Sequence, residues 1–156
     1  MDKDLLRKAM KTSISEVLEK MFFLPLDFSD ASSPVDIWDP EVEPLIAVRL
    51  DFQGPLSGQM ALFIPRKLGA DLAADFMGGD PEAVPSEHVD QTAKEIINMI
   101  AGRSFSLLDE KAVFDLGIPE IVPVKTACET PDRADNAVFL GIDTLESHLG
   151  LWLIPS

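Results

Sequence analysis

Apolar side chains recur along this chain on two periods, and the switches between them mark its elements. Met10, Ile14, Val17, Leu18 and Met21 return at helical spacing, which predicts an amphipathic helix over about 3–23, ended by Pro25. Ser13-x-x-Glu16 has the form of a capping box, marking either a start or an incidental match inside the longer helix. Residues 25–44, rich in Pro, Asp and Ser, read as a loop with one short strand around Val35–Trp38. Strands over 45–52 and 56–64 follow, with Gln53-Gly54-Pro55 as a hairpin turn. A second helix over 66–77 turns Leu68, Leu72, Phe76 and Met77 inward and stops at Gly78-Gly79. After an acidic connection over 79–87, Ser86 caps the longest helical pattern, about 87–109. Its apolar stripe is Val89, Ala93, Ile96, Ile97, Ile100, Ser104 and Leu107. Strands over about 119–127, 136–142 and 147–154 close the pattern.

The pattern repeats. A shift of 90 residues brings Ala47, Val48, Leu50, Ser57, Ile64 and Pro65 onto Ala137, Val138, Leu140, Ser147, Ile154 and Pro155. The preceding helices correspond at a shift of 79, ISEVLEKM over AKEIINMI. Two amphipathic hairpins can resemble each other through binary pattern alone, but the shared order of helix, then strands ending in Ile-Pro, favours duplication. The expected fold is α/β, an α+β sandwich: one pseudo-two-fold domain built from halves at about 1–78 and 79–156. A mainly antiparallel sheet of about six strands carries two long helices side by side on one face.

Composition narrows the chemistry. The 156 residues hold 13 basic and 27 acidic side chains, a net charge of −14, and 46% are hydrophobic. Mean hydropathy is +0.12. A sizeable core is expected, and wholesale disorder is not. So acidic a surface repels nucleic acid and anionic lipid, so neither is expected as a partner. No apolar run reaches membrane-spanning length and no signal-peptide core is visible, so a cytoplasmic protein is expected. One cysteine, Cys128, and two histidines, His88 and His148, leave no pattern for a disulfide framework or a zinc site. Ser104 and Ser106 have no partnered histidine to support hydrolase chemistry. Asp75, Asp80, Glu82, Glu87 and Asp90 read as solvated charge, with a cation site as the less favoured alternative.

The long helix carries an odd outward face. With its apolar stripe turned down, Gln91, Glu95, Asn98 and Gly102 point directly away from the core, flanked by Met99 and Phe105. A merely solvated face would hold more Lys and Glu, and a mid-helix glycine costs about 1 kcal/mol relative to alanine. Two readings remain open. Either another protein docks there, with Gly102 clearing space for its backbone, or Gly102 lies beneath a neighbouring helix of this same chain. The first-half helix keeps the carboxylate as Glu16 but has Glu19 for Asn98 and Phe23 for Gly102. Only the second copy offers the full set.

EIINMIAG (95–102), preceded by Asp90, resembles the Glu-x-x-Asn motif of the CheC/CheX chemotaxis phosphatases, and SISEVLEKMFFLP (13–25) resembles the first helix of CheX-like members. The single intact motif favours the CheX side of the family. The resemblance implies a phosphatase acting on the phospho-aspartate of a CheY-like response regulator. It implies catalytic roles for Glu95 and Asn98 and Mg²⁺ held by the regulator rather than by this chain; the outward face itself adds Gln91, Met99, Gly102 and Phe105 as expected partner contacts. Many relatives carry a lysine where this chain has Phe105. An adaptor that binds a receiver domain or flagellar-switch component without catalysis is the alternative, and a homodimer is a further expectation.

Overall fold

The computed structural model describes residues 2–31, 33–39, 44–129 and 136–156. Positions 32 and 40–43 of the expected 25–44 loop lie outside them. The elements run α1 (Lys3–Ile14), a π-helical turn (Ser15–Met21), β1 (Asp27–Ser29), β2 (Leu45–Gln53), β3 (Gly58–Pro65), α2 (Arg66–Met77) and α3 (Ser86–Leu108). Then come β4 (Asp115–Leu116), β5 (Glu120–Val122), α4 (Val124–Cys128), β6 (Val138–Asp143) and β7 (His148–Pro155). The strands form one seven-stranded antiparallel sheet in the order β1-β6-β7-β3-β2-β4, with β5 also on β2.

Both faces of the central strands are apolar, and the pleat sorts them. Val48, Leu50, Met60, Leu62, Leu151 and Leu153 face the helices in the main core with Ile96, Ile97 and Ile100. Ala47, Phe63, Phe139 and Trp152 face the other way, under Trp38 and Ala127. A Cβ on Gly150 would stand 2.7 Å from the Phe139 ring and 3.0 Å from that of Trp38, so a larger residue there would displace these rings. α1 and α3 lie side by side over the sheet. Buried Ser13 donates its hydroxyl to the Ile100 carbonyl at 2.8 Å across that crossing. It is therefore an interhelical tie and caps nothing. The buried Ser104 hydroxyl on the same helix has no partner among the described residues.

Several expectations need correction. The first helix is α-helical only to Ile14 and continues as a π-turn, which apolar spacing alone does not distinguish. Pro34–Asp36 is a 3₁₀ turn, not a strand. The expected 119–127 strand pairs only over Glu120–Val122 before Pro123 starts α4. Pro85, not Ser86, is the cap residue of α3, and Ser86 accepts a hydrogen bond from Arg66 instead. Met21, Phe76, Met77 and Leu107 are exposed rather than inward. The 90-residue shift also fails at the last strand. Val48 pairs with Leu62, but Val138 pairs with Leu153 rather than Trp152. Leu62 and Trp152 consequently face opposite sides of the sheet, and the second hairpin is one residue longer.

Candidate active site

α3 is held along its apolar stripe by the sheet, by α1 and by α2, which leaves its opposite face to solvent. Gln91, Glu95, Asn98 and Gly102 are all exposed there. Gln91 Nε2 donates to Glu95 Oε1 at 3.4 Å, one turn along the helix. Among the described residues the Asn98 amide has no hydrogen-bond partner, so both its donor and its acceptor are available.

No contact within the chain requires glycine at 102. A Cβ placed there meets nothing within 4 Å. The glycine that lies under a helix crossing is Gly69, whose Cβ would stand 3.0 Å from Val89. The reading that tucked Gly102 beneath a neighbouring helix is thereby removed. Met99 is half-buried, packed on the core with part of its side chain open.

Phe105 is a correction. It is 2% exposed, not a surface contact. Its ring lies 4.6 Å from Phe52 and 4.5 Å from Phe114, nearly parallel to the latter. The physical reason is that the chain folds back after α3 and lays Phe114 and β4 over the last turn. Asp109 pins this return, accepting from the backbone N–H groups of Lys111 and Ala112 at 3.0 and 3.2 Å. Truncating a ring so enclosed costs about 3–5 kcal/mol. The return segment also makes a shallow depression of about 160 Å³ beside Gly102, walled by Ser106, Asp109, Glu110, Ala112 and Leu116.

One pairing had no periodic signal. Arg103 reaches from α3 to Glu16, with Nε 2.6 Å from Oε2 and a second contact at 3.3 Å. The Arg103 hydrogen bond, with its charge, holds the Glu16 carboxyl below its usual range against a smaller opposing effect of burial. Glu19 and Phe23 remain exposed. Other sequence candidates lie apart from this face. Asp90 pairs with Arg66 at 3.4 Å, and His148 contacts Asp143 at 2.8 Å. Cys128 is half-buried, and burial pushes its thiol up, away from thiolate reactivity. Among the described residues no three or more His, Cys, Asp or Glu side chains are grouped to hold a metal ion, and no helix is long and apolar enough to cross a membrane.

A family model described as chemotaxis phosphatase CheX matches residues 46–140. No curated protein matches the sequence. Among solved structures, a chemotactic CheC-like protein from Shewanella oneidensis aligns with a TM-score of 0.74 at 15% identity, covering 99% of this chain and 100% of its own. The chemotaxis protein CheX from Vibrio vulnificus aligns at 0.73 and 18%, covering 97% and 96%. A CheX–CheY–BeF₃–Mg²⁺ complex from Borrelia burgdorferi aligns at 0.66 and 15%, covering 95% and 96%. At these identities the likeness is one of fold.

Proposed function

The chain belongs to the CheX family of chemotaxis phosphatases, and from that premise we propose that it hydrolyses the phospho-aspartate of a CheY-like response regulator through Glu95 and Asn98. The observation that carries this reading is the unpartnered Asn98 amide, standing one turn from exposed Glu95 beside the open space at Gly102.

An acyl phosphate is already reactive, and phosphoryl transfer asks mainly for positioning and charge stabilisation. Water oxygen attacks phosphorus, the bond to the aspartate carboxylate breaks, and inorganic phosphate leaves. Asn98 accepts from and donates to the attacking water and aims it in line with the leaving carboxylate. It takes no proton, because a metaphosphate-like transition state demands little of a base. Glu95 pairs with the regulator's active-site lysine and fixes the register of docking. Gln91 orients Glu95 through their hydrogen bond. Gly102 gives the partner's backbone access, and the open part of Met99 gives it apolar contact. On this reading the Mg²⁺ is the regulator's; the Borrelia complex contains Mg²⁺ together with CheY.

The test is the decay of receiver domains labelled with acetyl phosphate, with and without this protein, across the receivers of the same genome. Faster decay of at least one receiver is expected. Binding without acceleration of any receiver would overturn catalysis and leave an adaptor.

A further inference from the structure

A second surface lies away from the Asn98 face, where the end of the first helix, α2 and the β6–β7 turn meet. Its cavity of about 340 Å³ is lined by no residue of α3. Three features there run against local structural preference. Phe23 has a φ of 55°, the left-handed conformation that helix ends ordinarily give to glycine, and its side chain is 84% exposed. Among the described residues it is the one non-glycine with positive φ. Leu145 is 91% exposed at the tip of a tight turn closed by Thr144 N–H on the Ser147 carbonyl at 2.9 Å, where a polar residue is usual. Phe76, stacked at 5.8 Å on the cavity-lining Phe22, is more than half exposed. The left-handed turn at Phe23 closes the helix end, where the Leu24 N–H donates to the Leu18 carbonyl at 2.9 Å, but the bare side chains of Phe23 and Leu145 beside one cavity are covered by nothing in the chain.

The charges select the occupant. Asp71, Asp75 and Glu146 line the cavity against a single Lys67. A second copy would bring the same acidic rim and a net charge of −14, and an anionic lipid surface would be repelled as well. The volume sits at the low end of the roughly 300–1,000 Å³ of small-molecule pockets, and the apolar side chains project outward from it. We propose that this end of the molecule docks an amphipathic basic segment of a partner protein, whose large apolar side chains cover Phe23 and Leu145 while its Lys or Arg residues meet Asp71, Asp75 and Glu146. The proposal does not depend on the phosphatase reading.

The probe is a fluorescent amphipathic helix of Leu and Lys, about 18 residues long, followed by anisotropy, with a Leu/Glu helix as control. Saturable, salt-sensitive binding of the Leu/Lys helix alone is expected. Phe23→Gly should weaken it by about tenfold or more through loss of apolar contact. Leu145→Ser should weaken it too, whereas E120K with E129K, both remote from the cavity, should leave it within about twofold. Because glycine relieves the left-handed strain, Phe23→Gly should melt at the same or a higher temperature. Unchanged binding by Phe23→Gly, an equal loss in the remote control or no binding by the wild-type protein would overturn the proposal. So would a fall in melting temperature, which would give Phe23 a role in the fold, or self-association through this surface.

Discussion

The outward face of α3 and its counterpart on the first helix start from similar sequence and end as different surfaces. Both carry a glutamate at the corresponding place, Glu95 and Glu16. Glu95 is supported by a neutral amide one turn away, whereas Glu16 is taken up by Arg103 across the helix crossing. The α3 segment is regular α-helix through residues 95 and 98, whereas the first helix passes into a π-turn at Ser15, and there Glu19 sets a second carboxylate beside Glu16 on the lining of one depression. Open space at Gly102 becomes an exposed phenylalanine at 23. On the proposed function a carboxylate alone is not a site: freedom of the charge, a nearby unpaired amide and clearance for a visitor are also needed, and of these two faces that of α3 has all three.

The comparison can be broken by filling the clearance. Gly102→Leu should weaken docking of a beryllofluoride-activated receiver by about tenfold or more, while helix propensity raises stability by up to about 1 kcal/mol. Paired binding and denaturant titrations read both effects. Unchanged docking would mean that Gly102 faces no partner. Glu95→Lys places like charge opposite the regulator's lysine, and the loss should fall mainly on affinity and lessen with added salt.

Rebuilding the degenerate copy sharpens the contrast. In an Asn98→Ala background, Glu19→Asn with Phe23→Gly should restore no measurable activity in a phosphate-release assay, since Arg103 still holds Glu16. Recovered turnover would show that side-chain identity alone separates the two faces. The smallest effect concerns pH. Because the folded Glu16 carboxyl titrates below its usual 4.5, the Arg103 pair contributes stability that is present above that value and lost as pH falls through the folded value. Glu16→Gln should flatten a shallow acid limb in thermal melts between neutral pH and about pH 3, and its exposed setting keeps the change small. A steeper limb in the variant would contradict the assignment.

Much of this was legible in the sequence where a period runs long enough to average out local accidents. α2, α3 and the β2–β3 and β6–β7 hairpins are of that kind, and so is the Gln91–Glu95–Asn98–Gly102 face. β1 and β4 are too short to show alternation. The π-turn preserves apolar residues at nearly helical spacing and hides its change of pitch. A helical wheel turns Phe105 outward because it knows nothing of Phe114, brought over it by the returning chain. The Glu16–Arg103 pair joins residues 87 positions apart and leaves no periodic trace.

The central claim, that Asn98 contributes positioning rather than affinity, is tested by one paired measurement on Asn98→Ala: single-turnover dephosphorylation of the phosphorylated receiver, and binding of its beryllofluoride form. The account predicts a rate loss of about 10²-fold or more with affinity within about threefold of wild type. A variant that hydrolyses at the wild-type rate, or one whose loss lies wholly in binding, would contradict it.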